Sequence, residues 1–418
     1  MFVYKNFITS IDFSKIYFYS LLFFAFMMPL AKASNSLFPF LMIFLLILQG
    51  NYKEHFKILK KETIFITMVA FISLMSVSIL WTDNLKWGFD DLRHFLSWIA
   101  IFAIALNLKI EQIYKIITAF IFGMFISEVL AYGMFFEFWE IRGHGKEYPS
   151  PFMSHETYGF YLAFTATILF NRILVDRYRL KEKILYTLFF ISIMGNLFIN
   201  TGRMGQLVFI IGVFTTVIIH YKFSFKSIIL SSVIVSVIFV SAFNLSNHFK
   251  SRVILAQQDI TKALNHNYNT SWGNRVVYWL IAFESIKSNP LIGVGVGDYG
   301  TAIANIFEKE SYGVPLKRQG EMARNHFHNQ YLNVAVQIGI IGLVLLLVVY
   351  FNYFKMNIKE KEIKELSMFF ILMFAAAGFS SLYFGRSYGT SIFILFTGLF
   401  IAGLLNKEDH DISSKVSL

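Results

Sequence analysis

Apolar runs of about the length needed to cross a bilayer recur from one end of this 418-residue chain to the other, and they leave few alternatives for its fold. A spanning helix needs roughly 20 predominantly apolar residues. Hydrophobic residues make up 56% of the sequence and charged residues only 15%, which leaves no room for a soluble domain of ordinary size. Twelve segments qualify, at about 16–31, 35–50, 63–81, 92–107, 113–136, 154–171, 184–200, 204–220, 227–244, 328–354, 366–384 and 388–405. The second is the weakest, being short and carrying Pro39. The first is followed by KASNS and another apolar run, so it reads as a retained span and not as a cleaved signal. The expected fold is an all-α, polytopic membrane protein of about 12 transmembrane helices.

The net charge of +11 would suggest nucleic acid in a soluble protein, but here its placement sets membrane orientation. Of the 37 Lys and Arg residues, 21 fall at the termini and in alternate short loops, against 7 in the short loops of the opposite side. The positive-inside rule then puts both termini in the cytoplasm and the long segment from about Asn244 to Phe327 on the outer side. Three regions follow: 1–243 with spans 1–9, 244–327 as one large external loop, and 328–418 with spans 10–12 and a cytoplasmic tail. Cysteine is absent, which removes disulfides, thiolate metal sites and cysteine nucleophiles together.

Within the long loop, NRVVYWLIAFESIKSNP has helical periodicity and stops at Pro290. Val277, Leu280, Ile281, Phe283 and Ile286 form an apolar face suited to the membrane surface. The following LIGVGVGDYG contains a formal GxGxxG, Gly295 to Gly300. It follows a Pro-terminated helix where a nucleotide fold would have a strand, so no dinucleotide site is read there.

Three residues on the external side stand out. Arg203 lies in NTGRMGQL, a polar interruption between two spans, and an arginine in hydrocarbon costs about 2.5–3.5 kcal/mol. Arg275 opens the loop helix, and His328 sits at the mouth of the tenth span. Guanidinium forks suit the oxygens of a diphosphate, and an imidazole accepts a proton near neutral pH. Snorkelling to lipid phosphate, a solvated charge and an interfacial histidine are the plain readings of the three taken singly.

Ordered motifs surround these residues: His328-Asn329, nine residues, Gly339, two residues, Gly342 forms H-N-x9-G-x2-G, and Arg203 to Leu207 forms R-x3-L. NRVVYW is followed by NPLIGVGVGDY, a helix with a P-x-x-G-x-G turn. In these motifs the chain resembles the O-antigen ligases of the wider O-antigen ligase/polymerase superfamily. The resemblance implies a GT-C-like glycosyltransferase of the bacterial inner membrane, inverting and metal-independent, with no cofactor and its active site on the periplasmic face. It implies an undecaprenyl-diphosphate-linked glycan as donor and a sugar hydroxyl of the lipid A core as acceptor. Arg203 and Arg275 would neutralise the diphosphate and His328 would orient or deprotonate the acceptor. Asn329 would hold the imidazole or a phosphate, with His326 in support and Arg324, Arg386 and Arg142 along the substrate path. His155-Glu156 at a span start reads as a relay or, more plainly, an interfacial helix cap, and His326 with His328 as a metal pair lacks a third ligand.

The neighbouring readings are an O-antigen polymerase and a protein O-oligosaccharyltransferase. Against the first, neither Arg203 nor Arg275 has a glycine eleven positions on. Against the second, the chain lacks the extra external region those proteins commonly carry. A transporter or flippase predicts charges near mid-membrane, where Glu128 stands nearly alone.

Overall fold

A computed structural model describes residues 12–264, 268 and 270–406. Among them there is no strand, only an isolated bridge between Ile141 and His144. The first part of the chain forms α1 (Phe13–Met27), α2 (Lys32–Gln49), α3 (Tyr52–Leu59), α4 (Thr63–Val77), α5 (Leu85–Leu96), α6 (Ile99–Leu106), α7 (Ile110–Phe135), α8 (His155–Leu174), α9 (Leu180–Ile199), α10 (Arg203–Tyr221) and α11 (Phe225–Leu245). Segment 244–327 contributes α12 (Asn247–Leu264), α13 (Ser271–Ser288), α14 (Tyr299–Phe307) and α15 (Leu316–Met322). The chain then returns through α16 (Gln330–Lys355), α17 (Lys361–Gly378) and α18 (Ser387–Leu405).

Among the described residues, eight helices are long and apolar enough to cross a membrane: α2, α4 with the turn that ends at Trp81, α7, α9, α10, α11, α16 and α18. The other four expected spans correspond to helices that are shorter or more polar. α1 has 15 residues. α8 and α17 carry polar and charged groups, several of them turned inward: every residue from Thr157 to Leu169 is buried, and Arg172 pairs with Glu362 at 3.4 Å inside the bundle, while Lys361 and Lys364 of α17 stay exposed. The expected span 92–107 is broken. Its first part belongs to α5, whose LKWGFDDLRHFL is too charged for hydrocarbon, and in α6, which packs against α2 and α18, the stretch Ala100–Ala105 is buried. Trp98 fills the corner, its ring 4.6 Å from that of Phe384.

The core explains the abundance of Phe. Phe164 meets Phe396 edge-on at 4.7 Å and Phe160 meets Phe374 at 5.7 Å, so rings from α8, α17 and α18 interlock in the geometry their quadrupoles favour.

One break inside a spanning helix positions everything near the site. In α16, Ile338 and Gly339 leave helical geometry, Gly339 with φ +69°. The turn after α13 lies across the gap. Ile340 N–H donates to Pro290 O at 2.9 Å, and Val294 and Gly295 N–H donate to Val336 and Gln337 carbonyls at 2.9 Å. The backbone groups freed by the break are thus satisfied by protein, the condition on which non-helical chain is tolerated at membrane depth. Contact is so close that a Cβ on Gly339 would stand 2.0 Å from Leu291 O.

Other polar groups of that glycine turn are also committed. Gly297 N–H donates to the Gln337 side chain at 2.7 Å, and the Asp298 carboxylate accepts from Asp83 and Asn84 N–H at 2.6 and 2.9 Å. The GxGxxG therefore docks backbone against backbone. The apolar face expected to lie on the membrane is partly spent in the same way. Val277 and Ile281 are buried with Ile303, Phe307, Phe327 and Val336 in a small second core, while Phe283 and Leu280 remain exposed.

Candidate functional site

The site lies where α8, α10, α13 and the turn before α16 meet at one end of the bundle. Small residues bring the first two together. A Cβ on Gly205 would lie 2.6 Å from the backbone of Gly159, and one on Gly202 would lie 2.4 Å from His155 O. Such close helix approach is the usual role of glycine in membrane packing. It sets the first turn of α10, which begins with Arg203, beside His155 and Glu156. Asn200 fixes the turn between them, donating to His155 O at 3.2 Å and accepting from Gly202 N–H at 3.0 Å.

Arg275 arrives from α13. Thr270 caps that helix, its hydroxyl accepting from Gly273 N–H at 2.9 Å, and Arg275 follows at the start of the second turn. Its Nη2 donates to Glu156 Oε1 at 2.9 Å, while Glu156 Oε2 accepts from the Ser381 hydroxyl at 2.9 Å. Glu156 thereby ties α8, α13 and the loop between α17 and α18. The cap of α8 is Ser154, whose hydroxyl accepts from Thr157 N–H at 3.4 Å. Reading His155-Glu156 as a cap therefore missed the carboxylate's role as the partner of Arg275.

His328 sits in the turn between α15 and α16 with φ +50°, a strained conformation for a side-chain-bearing residue. Its N–H donates to His326 Nδ1 at 3.0 Å, and its ring lies 5.3 Å from that of Tyr278 and 4.6 Å from that of His326. Among the described residues its buried Nδ1 has no hydrogen-bond partner. Burial pushes the His328 pKa below the ordinary histidine value; Glu156 opposes this, while Arg275 and Arg386 add to it. The ring is therefore neutral at pH 7, with a carboxylate near enough to stabilise an imidazolium when one forms.

Arg275 and His328 line one cavity of about 550 Å³, with His155, Glu156, Arg318 and Asn325. Arg203 stands next to this cavity and not in its wall. It is within electrostatic range of Arg275 and Arg252 and pairs with Asp259 of α12 at 3.7 Å. A second cavity of about 580 Å³ opens on the other side of the His326–His328 turn, and Arg142, Arg324, His326 and Arg386 line it. Asn325 borders both. Asn329 faces neither: its carbonyl oxygen caps α16, accepting from Tyr331 and Leu332 N–H at 2.9 and 3.1 Å, and its amide donates to Phe379 O at 3.3 Å.

Residues 187–347 match the family model described as O-antigen ligase, Wzy_C. The matched segment, less than half of the chain, is similar to the O-antigen ligase family. No curated protein matches the sequence. The O-antigen ligase match runs from within α9 into α16 and so takes in Arg203, Arg275, His328 and the Gly339 break. Glu156, Ser381, Arg142 and Arg386 lie outside the matched segment and are brought to it by the fold alone. The signal for Glu156 in the sequence was slight: a carboxylate in the first turn of a span on the side that carries Arg203 and Arg275.

Proposed function

We propose that the chain is an O-antigen ligase of the bacterial inner membrane, working on the periplasmic face with both termini cytoplasmic. It transfers a glycan from undecaprenyl diphosphate to a sugar hydroxyl of the lipid A core. The observation that supports this most is the convergence of Arg275 and His328 on one cavity of about 550 Å³, a size suited to a diphosphate and its first sugar. In this reading the neutral His328 imidazole takes the proton of the acceptor hydroxyl. The acceptor oxygen forms its bond to the anomeric carbon as the bond from that carbon to the phosphate oxygen breaks. The electron pair leaves on the lipid diphosphate, whose gathering charge Arg275 meets from the cavity wall and Arg203 from beside it. Single displacement inverts the anomeric centre. The diphosphate itself supplies the driving force, so no nucleotide is required.

Glu156 has two parts in this scheme. It holds the Arg275 fork while the cavity is empty, and it faces the imidazolium that proton transfer creates. A deletion strain tests the reading by what it accumulates. Long glycan left on its lipid carrier, together with bare core, supports the ligase, and complementation with His328→Ala or Arg275→Ala should not restore capped lipopolysaccharide. Single repeat units attached to core would identify a lost polymerase instead.

A further inference from the structure

The second cavity has an electrostatic character that transfer from a lipid diphosphate leaves unused. Lys32, Arg93, Arg142, Arg324 and Arg386 reach it from five different parts of the chain, and Asp91 is the one carboxylate among its described lining residues. Lys32, Arg142, Arg324 and Arg386 form no ion pair among the described residues; Arg142 rests over the Phe152 ring at 5.6 Å. In the first cavity, by contrast, Glu156 and Glu321 stand with Arg275 and Arg318.

At the back of this cavity is a mismatch between donors. His326 is 6% exposed. Its Nδ1 receives the His328 N–H at 3.0 Å, and its Nε2 lies 2.9 Å from Arg386 Nη2. A neutral imidazole has one lone pair and one N–H, whereas guanidinium and backbone N–H groups only donate. Whichever ring nitrogen carries the proton, one of the two contacts sets donor against donor. If Nδ1 keeps its backbone partner, then Nε2–H and Arg386 N–H face each other with no acceptor between them. An anionic oxygen seated against that edge would accept from both. Protonating the ring would set both contacts donor against donor, and burial, with His328 and the charge of Arg386, holds the His326 pKa well below its ordinary value.

Resting on the ligase reading, we propose that this second cavity binds an anionic group of the acceptor, a phosphoryl substituent held between His326 and Arg386 with Arg142 and Arg324 completing the cradle. The His326 and His328 rings are 4.6 Å apart, so an acceptor anchored on one presents its neighbouring hydroxyls to the other. The two cavities thus divide the substrates, the lipid diphosphate on the Arg275 side and the phosphorylated saccharide on the Arg386 side.

The test uses the full chain purified in detergent, with lipid-linked glycan as donor and a phosphorylated core oligosaccharide, or the same saccharide stripped of phosphate with hydrofluoric acid, as acceptor. Arg386→Gln and Arg142→Gln should each raise the acceptor KM about tenfold or more, the worth of one charge-assisted hydrogen bond. Stripping the acceptor should cost wild type about as much, and combining the stripped acceptor with Arg386→Gln should add little further. Inorganic phosphate should inhibit competitively against acceptor, and Arg386→Gln should abolish that inhibition. Additive penalties, or inhibition competitive against donor, would overturn the proposal by assigning the anion to the lipid diphosphate. Binding of inorganic phosphate, followed by 31P NMR, separates the two readings. Phosphate bound by wild type and not by Arg386→Gln, with no transfer to any core acceptor, would sink the ligase assignment and keep the anion site. Phosphate bound equally by both proteins would sink the site.

Discussion

Arg275 and Glu156 are joined across 119 residues of chain by a 2.9 Å hydrogen bond, and the other oxygen of the same carboxylate takes the Ser381 hydroxyl. The guanidinium therefore reaches the cavity with its direction fixed and with further N–H groups to offer a ligand. Lysine keeps the charge and loses the fork. Arg275→Lys should lower kcat/KM for the lipid-linked donor by about ten- to a hundredfold, the cost of one or two charge-assisted hydrogen bonds. Its thermal midpoint in detergent should stay close to wild type. Near-normal turnover in that variant would show that charge alone suffices.

The protonation state of His328 sets the pH dependence. An imidazolium has no lone pair to take the acceptor proton, so kcat/KM should fall as pH drops through the His328 pKa. Burial places that pKa below the ordinary value of about 6.5, so the acid limb should be centred below it. Glu156 acts in the opposite direction and holds the value up. Glu156→Gln should consequently move the limb to still lower pH. A limb that moves upward in Glu156→Gln, or is centred above pH 7, would rule out His328 as the group being titrated.

Gly339 was legible as part of a motif, but its physical role was not. Periodicity reads 328–354 as one uninterrupted span, because a single left-handed glycine leaves no trace in hydropathy. The break becomes necessary only once the turn at Leu291 to Gly295 is seen lying across it. Gly339→Ala meets both a positive φ and a Cβ 2.0 Å from Leu291 O. Gly313→Ala meets the same φ of +69° in open space. The Gly313 change should cost about 1 kcal/mol and the Gly339 change clearly more, roughly 1–3 kcal/mol beyond it. Thermal unfolding of the purified variants checks this, and equal losses would show that the docking contact carries no stability.

Most of the membrane-spanning segments were readable because burial in lipid demands long apolar runs, and the helices that depart from that pattern do so for two reasons. α8 and α17 carry polar groups that pack among other helices, and α5 with α6 splits the span expected at 92–107, with Arg93 and His94 in its first half and Asp90 and Asp91 just before it. The site was legible to the extent that it uses arginine and histidine outside the apolar runs. Glu156 and Ser381 were not, since each makes sense only beside a partner more than a hundred residues away. Asn329 shows the converse error: its place beside His328 suggested chemistry, and its side chain is consumed by the cap of α16.

Arg172 and Glu362 offer a test of the fold that is independent of the site. Their side chains are 2% and 3% exposed, 3.4 Å apart, at the end of α8 remote from Arg275. Tyr178 also donates to Glu362 at 2.7 Å, so the carboxylate is held by two neighbours. Removing one member of a buried pair strands the other charge and typically costs about 3–5 kcal/mol, whereas replacing both with apolar residues of similar size is often close to neutral. Arg172→Met should therefore lower the thermal midpoint sharply, and adding Glu362→Leu should restore much of it. Any protein that folds should retain the donor KM of wild type, because the pair lies far from both cavities. A double variant no more stable than Arg172→Met would mean that α8 and α17 are held together by the hydrogen bonds of Tyr178 and not by the ion pair.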